Sequence, residues 1–256
     1  MRTADLERVR TLQLFSGMSD SQFSDLTQGA YFQTFPAGLT LLYEGDPVDF
    51  LYILMDGAVE LQGTWNDKES TLAILRPVST FILAAVVLEA NALMSARTLE
   101  KSQILMIPAE ALRRIMAEDA AFSIAVAREV SGCYRGLVRS IKNQKLRNGA
   151  ERLANYILTQ QVRQGNPEVI VLPHEKRTLA SLLGMTAENL SRAFAQLADY
   201  GIEVHGPEVR IVRPVPLRRL AKPSPLLDNH APPGTGTSGK AEKELWPPSL
   251  GLAGAA

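Results

Sequence analysis

The sequence predicts an α+β chain in three parts: a β-rich N-terminal region, one long helix, and a C-terminal region of short helices with a β-hairpin. Three observations lead there. From Tyr31 to Ile107, short β-branched and aromatic runs are separated by Gly, Pro, Asn and Asp punctuation. From Phe122 to Ile141, apolar residues recur at steps of three and four. Lys176 to Ala195 then places two short apolar stripes around a single glycine.

Composition narrows the function classes before any motif is considered. With 256 residues, 46% hydrophobic and 21% charged, the chain can build one or two folded domains. Its single cysteine, Cys133, excludes an internal disulfide and a cysteine-ligated zinc or iron–sulfur site. The longest wholly apolar run, Phe81–Leu88, falls far short of the ~20 residues that span a bilayer, and Met1-Arg2-Thr3-Ala4-Asp5 opens no signal core. A cytoplasmic protein with no membrane partner is the expectation. The formal net charge of zero hides an asymmetry: residues 1–134 carry 10 Lys/Arg against 17 Asp/Glu, whereas residues 135–222 carry 15 against 7. Between Glu129 and Glu151 lie Arg135, Arg139, Lys142, Lys145 and Arg147 with no acid among them, a local field that would attract a polyanion.

The first thirty residues read as helix and loop, with Leu14-Phe15 as apolar anchors before Gly17. The runs Phe50–Met55, Ala58–Leu61, Thr71–Leu75 and Ile104–Ile107 read as strands of an antiparallel sandwich or small barrel. Trp65-Asn66-Asp67-Lys68 reads as a hairpin tip. Phe122, Val126, Val130, Cys133, Leu137 and Ile141 then form one narrow stripe among charged and small residues. A stripe of that width suits the same helix of a second copy, so these six are the expected dimer seam, with Cys133 a buried small hydrophobe rather than a redox sensor. A second helix is expected from Glu151 to about Gln164, ended by Gly165-Asn166-Pro167, and a strand over Val169–Leu172. From Pro214 onward prolines recur, and Asn229–Ala256 is rich in Pro, Gly, Ser, Thr and Ala without periodicity; disorder is expected from about residue 223, and Trp246 has no core to join.

Lys176–Ala195 reads KRTLASLLGMTAENLSRAFA, the pattern of a helix-turn-helix. Ala180 falls where two helices cross closely, Gly184 where the turn requires positive φ, and Leu179, Leu183, Met185, Leu190 and Ala193 fill inward positions. Thr186 can cap the second helix through the N–H of Glu188 or Asn189. The outward face carries Ala187, Glu188, Ser191 and Arg192, side chains suited to base edges in a major groove. Ile202–Val212, broken by Gly206-Pro207, reads as a wing hairpin. The expected partner is double-stranded DNA, with Glu188, Ser191 and Arg192 reading bases and Lys176, Arg177 and Thr186 positioned on the backbone.

Leu14-Phe15-Ser16-Gly17, Pro36-Ala37-Gly38, Tyr43-Glu44-Gly45-Asp46 and Tyr52 with Asp56-Gly57-Ala58-Val59, followed by the helix-turn-helix, resemble in order and spacing the cyclic-AMP receptor protein / fumarate–nitrate reduction regulator (Crp-Fnr) family. The resemblance spans residues 10–215. It implies a double-stranded β-helix sensor domain (a cyclic-nucleotide-binding-like jelly roll, residues 1–118), a dimerisation helix (119–147) and a winged helix-turn-helix domain (148–222), followed by the tail (223–256). It also implies a homodimer, RNA polymerase as a partner, and regulation of transcription rather than catalysis.

Members that bind cyclic AMP carry Phe-Gly-Glu followed by an Arg-Ser or Arg-Thr pair in the phosphate-binding segment. The corresponding residues here are Phe81, Ile82 and Leu83, with Met94 and Ser95. An anionic nucleotide would meet apolar groups there with no compensating charge, so cyclic-AMP binding is not expected. An iron–sulfur cluster is excluded by the lone Cys133. Haem stays open, but His174, His205 and His230 all lie outside the sensor region, so its iron ligand would have to be Tyr, Met, Cys or a residue from elsewhere. His174 suits a surface or phosphate-contacting position, and His205 suits the wing. The run Phe81–Val87 with Met94–Thr98 is similar to the subgroup that responds to nitric oxide and controls nitrogen-oxide respiration. Glu188-Asn189-Leu190-Ser191-Arg192 is similar to the Glu-x-x-Ser-Arg of the fumarate–nitrate branch, which implies a palindromic TTGA-type site; Ala187 replaces the Arg of TGTGA-type readers.

Two other readings compete with this one. In one the chain is a constitutive DNA-binding factor whose degenerate sensor serves only dimerisation. In the other, a cupin-like enzyme, residues 31–107 would have to supply histidine metal ligands, and they contain none.

Overall fold

The computed structural model describes residues 3–228. They divide into a unit ending at Tyr134 and a unit beginning at Arg135. The N-terminal unit runs α1 (Thr3–Arg10), α2 (Asp20–Gln28), β1 (Tyr31–Phe35), β2 (Thr40–Leu42), β3 (Phe50–Asp56), β4 (Val59–Trp65), β5 (Lys68–Leu75), β6 (Ser79–Phe81), α3 (Leu83–Leu88), β7 (Ser95–Thr98), β8 (Ser102–Pro108) and α4 (Ala109–Glu118). Its strands form two four-stranded sheets of antiparallel pairs, ordered β1-β8-β3-β6 and β2-β7-β4-β5. This is the jelly roll that the resemblance implies.

β3 explains why its sequence is apolar almost without interruption. Leu51, Ile53 and Met55 face a cluster shared with α2, α4 and the Leu14-Phe15 anchors, while Tyr52 and Leu54 face the cluster enclosed by the two sheets. A strand covered on both faces keeps no polar alternation. At the β4–β5 tip, Asn66 and Asp67 both take positive φ, and Trp65 pairs with Lys68 across a two-residue turn. Trp65 itself is exposed.

α5 (Ala120–Leu146) starts on a cap from Asp119, whose Oδ1 accepts from Ala121 N at 2.7 Å and Phe122 N at 3.1 Å while Gln22 donates to Oδ2 at 2.8 Å. The Phe122 amide bond, ahead of the Gln22 contact, lowers the Asp119 pKa. The stripe on this helix differs from the expected seam. Phe122 and Val126 are buried in the N-terminal core, with Phe122 stacked on Phe15 at 6.4 Å, and Val130 packs against the same core. Phe122 and Val126 are thus covered within one copy, while Val130 is only partly buried. Of the six seam residues only Leu137 and Ile141 are exposed, beside Tyr134 and Val138; Cys133 is half-buried.

The second unit continues with α6 (Gly149–Arg163), β9 (Val169–Val171), α7 (Lys176–Leu182), α8 (Ala187–Ala198), β10 (Ile202–His205), β11 (Glu208–Ile211) and α9 (Pro214–Ala221). Asn148 and Glu151 form a capping box at the start of α6, and Gly165 and Asn166 at positive φ end it. β10, β11 and β9 form a three-stranded sheet. One core holds Leu153, Ile157, Leu179, Leu190, Val209 and Leu217 from these elements.

Residues 223–228, placed in a disordered tail by their composition, instead fold back in a turn. Ser224 O accepts from Leu227 N and Asp228 N, and Asp228 pairs with Arg147. The remaining tail, 229–256 with His230 and Trp246, lies outside the described residues.

Candidate DNA-binding interface

α7 and α8 meet across a turn whose geometry follows from three residues. Ala180 is buried at the crossing, where a larger side chain would push the helices apart. Gly184 sits at φ +62°, and Thr186 caps α8 by accepting from Asn189 N at 3.2 Å. Leu190, Ala193 and Leu197 then face the core, which turns Glu188, Ser191, Arg192 and Ala195 outward. Glu188 and Arg192 form an exposed ion pair one turn apart, and Ser191 Oγ donates to Ala187 O at 3.0 Å. Lys176 and Arg177 are exposed in the first turn of α7, and Thr186 is exposed as well. Thus the three expected base readers share one solvent face, with the expected backbone contacts on the adjoining helix and turn. At the wing, Gly206 takes φ +63° between β10 and β11, and His205 is exposed at its tip.

Two residues escaped the sequence reading. Ala195 lies on the outward face of α8, where a methyl can touch thymine without barring close approach. Arg152, on α6, donates to the carbonyls of Leu183 (2.8 Å), Gly184 (3.4 Å), Arg147 (2.6 Å) and Gln144 (3.3 Å). Nothing in the sequence signals this, because every acceptor is main chain and two lie about thirty residues away. Partial burial lowers the Arg152 pKa, yet four carbonyl acceptors suit a guanidinium.

Residues 32–119 match the cyclic nucleotide-binding domain family, and residues 151–220 match the Crp-like helix-turn-helix domain family. The chain belongs to the Crp-Fnr family of transcription regulators. Among relatives of this Crp-Fnr chain, the CRP-like cAMP-activated global transcriptional regulator of Mycobacterium tuberculosis is 26% identical over 215 residues, 82% of this chain and 96% of that protein. The cyclic AMP receptor protein of Thermus thermophilus is 28% identical over 203 residues, 78% and 92% of the two chains. FixK2 from Bradyrhizobium japonicum has the same fold at TM-score 0.66 and 18% identity, covering 76% of this chain and 98% of its own. So does the c-di-GMP responsive regulator CLP of Xanthomonas campestris, at 0.65 and 18%, covering 75% and 99%.

In this Crp-Fnr chain the segment that the resemblance places at the phosphate-binding loop is apolar in three dimensions as well. Phe81, at the end of β6, is buried and stacked on Tyr52 at 5.1 Å; Ile82 and Met94 pack against the same cluster, and buried Leu83 joins the other. Ile82 holds φ +66°, a conformation that glycine adopts freely and a β-branched residue adopts only under strain. The Ser95 hydroxyl is engaged, accepting from Glu44 N at 2.9 Å. Beside Phe81, Thr80 donates to the Glu129 carboxylate at 3.0 Å, and burial raises the Glu129 pKa. The Cys133 thiol is pushed up to about 11, by burial first and then by the Glu129 charge. Among the described residues no group of three or more His, Cys, Asp or Glu side chains is placed to hold a metal ion, and no helix is long and apolar enough to cross a membrane.

Proposed function

We propose that this chain is a cytoplasmic homodimeric regulator that reads a palindromic TTGA-type site, is not switched by cyclic AMP, and answers to nitric oxide or low oxygen in the control of nitrogen-oxide respiration. The observation that carries the effector reading is the apolar segment of Phe81, Ile82, Leu83 and Met94. A nucleotide phosphate placed there loses its hydration and gains no cation, and the nearby Glu129 carboxylate would repel it. A small uncharged effector meets no such penalty. The two relatives are named as a cAMP-activated regulator and a cyclic AMP receptor; the resemblance places Ile82, Leu83 and Met94 where cyclic-AMP binders carry Gly, Glu and Arg. Glu188, Ser191 and Arg192 read the half-site, RNA polymerase is the partner that turns binding into regulation, and two heads read half-sites about one helical turn (~34 Å) apart.

Haem is the cofactor that gas sensing would suggest. Residues 1–134 contain no histidine, so the sensor region offers haem no imidazole, and an iron ligand would have to come from Tyr, Met, Cys133 or a residue outside it.

A second reading, constitutive DNA binding with the roll as a dimerisation scaffold, is favoured by the filled roll interior: Leu42, Tyr52, Leu54, Leu75 and Phe81 are all buried there. One titration separates the two. Purified protein is titrated against a labelled palindromic TTGA-type duplex, aerobically and anaerobically, with and without haem and nitric oxide. Binding that appears only with nitric oxide supports the sensor; tight binding in every condition supports the constitutive factor. Micromolar cyclic AMP binding by calorimetry overturns the cyclic-AMP part.

A further inference from the structure

The chain does not end its structural role with the winged helix. Past α9, the turn over 223–228 brings Asp228 onto Arg147, the residue between α5 and α6. The Asp228 carboxylate accepts from Arg147 Nη1 at 2.6 Å and Nη2 at 2.5 Å, and from Ser224 N at 2.8 Å. Both partners are only 8% exposed, whereas Arg10–Asp20, Arg76–Glu100, Arg113–Glu89, Arg192–Glu188 and Lys222–Glu151 each leave at least one partner more than half exposed. A second guanidinium bears on the same segment. Arg152 Nη1 donates to Arg147 O at 2.6 Å, and its other nitrogens reach Leu183 O and Gly184 O, the turn that launches the recognition helix. Glu151, capping the start of α6, receives Lys222 Nζ at 3.1 Å, and Asn155 Nδ2 donates to Ala221 O at 2.6 Å. The end of α9 and the chain leaving it are therefore fastened to Arg147 at the α5–α6 joint and to Glu151 and Asn155 in the first half of α6.

We propose that Asp228 is a positioning residue for DNA recognition, acting through Arg147 and Arg152 on the Leu183–Gly184 turn. The physical argument is one of geometry. A guanidinium shared among four carbonyls defines where the turn stands relative to the end of α5, because each bond is directional and the planar group cannot satisfy all four in another arrangement. Arg152 can hold that arrangement only if the Arg147 carbonyl stays in place. Burying the Arg147 side chain against Asp228 fixes it: without that carboxylate the guanidinium keeps only the neutral acceptors Asn143 Oδ1 at 3.1 Å and Lys222 O at 3.4 Å, and its uncompensated charge would pull toward water and drag its main chain with it. Asp228 lies beyond the matched helix-turn-helix residues, 151–220.

The proposal rests on DNA binding and not on the TTGA half-site, so its test uses a duplex that the full-length wild-type chain selects from a random-sequence library, against a scrambled duplex of equal length. Asp228→Asn and Arg152→Lys are each expected to weaken binding to the selected duplex about tenfold, while scrambled-duplex affinity and the salt slope stay unchanged. A purely structural defect lowers both affinities together. Combining the two variants should cost little more than the larger single effect, since they act along one path. Because Asn leaves the Arg147 charge buried without a counter-charge, Arg147→Met with Asp228→Leu removes both charges at once; it is expected to fold, by circular dichroism, and to lose the same discrimination. A folded double variant that discriminates like wild type, equal losses on the two duplexes, or fully additive losses would each overturn the proposal. A wild-type chain that selects no sequence would overturn the DNA reading itself, and this proposal with it.

Discussion

Glu188 and Arg192 pair with each other on free α8, so under the proposed reading each would exchange a protein partner for a base edge on binding DNA. An exposed pair of this kind holds only about 0.3–0.5 kcal/mol, which makes the exchange cheap. Arg192→Ala is expected to cost about 1–3 kcal/mol on the cognate duplex and to relax selection at one guanine, whereas Lys176→Ala weakens all sequences alike and lowers the salt slope by about one. Fluorescence anisotropy on cognate and random duplexes measures both; equal losses for Arg192→Ala would remove its reading role. Glu129 carries a prediction about pH. Burial raises its folded-state pKa, so the folded protein binds that proton more tightly than the unfolded chain, and its ionisation erodes stability as pH rises above the ordinary carboxylate range. Glu129→Gln keeps an acceptor for Thr80 and removes the charge. Its melting temperature should exceed wild type by about 1–3 °C at neutral pH and converge on it near pH 4. A gap that persists at low pH would mean that packing, not ionisation, sets the difference.

At the scale of single elements, turns separate two kinds of glycine. A Cβ at Gly184 would meet nothing nearer than Gln144 Cδ at 3.6 Å, so Gly184→Ala is charged only for its left-handed backbone, about 1–2 kcal/mol. A Cβ at Gly57, by contrast, would stand 2.4 Å from Ser102 Oγ and 2.7 Å from Lys101 O, forcing the β3–β4 turn away from β8. Gly57→Ala should destabilise the N-terminal unit by more than about 2 kcal/mol in denaturant melts, and a smaller loss than that of Gly184→Ala would contradict the clash. The same contrast explains what could be read from the sequence. The Gly184 turn, the Thr186 cap, the Asn66-Asp67 tip and the Gly206 wing obey rules confined to a few neighbouring residues, and each stands where those rules put it. The stripe on α5 was visible, but periodicity reports that a face is covered and not by what: Phe122 and Val126 meet Phe15 and its neighbours, over a hundred residues earlier. Composition around residue 223 registered Pro and Ser, and could not register that the single carboxylate of Asp228 finds Arg147 eighty-one residues away. Arg152 was invisible for the related reason that its partners are carbonyls, which every residue has.

For the whole molecule, the exposed part of the α5 stripe decides whether two heads act on one duplex. Tyr134, Leu137, Val138 and Ile141 present an apolar strip that a single copy leaves in water, and a matching helix of a second copy would cover it in the isologous manner of a two-fold dimer. Leu137→Glu with Ile141→Glu places two carboxylates on each copy's seam, where pairing would bring like charges together without water. The variant should sediment as a monomer at micromolar concentration and keep the melting behaviour of its folded units. Its affinity for the full palindrome should fall more than about a hundredfold, toward that of one half-site, because the second head no longer binds as an intramolecular event. Phe122→Ala is the internal control: it should cost about 3–5 kcal/mol of N-terminal stability through the cavity it opens against Phe15, with no separate effect on association while folded. If the double glutamate variant stays dimeric, or Phe122→Ala dissociates the dimer without lowering stability, the seam runs through the first half of α5 after all, and the burial of Phe122 and Val126 would have to be reassigned to the contact between copies.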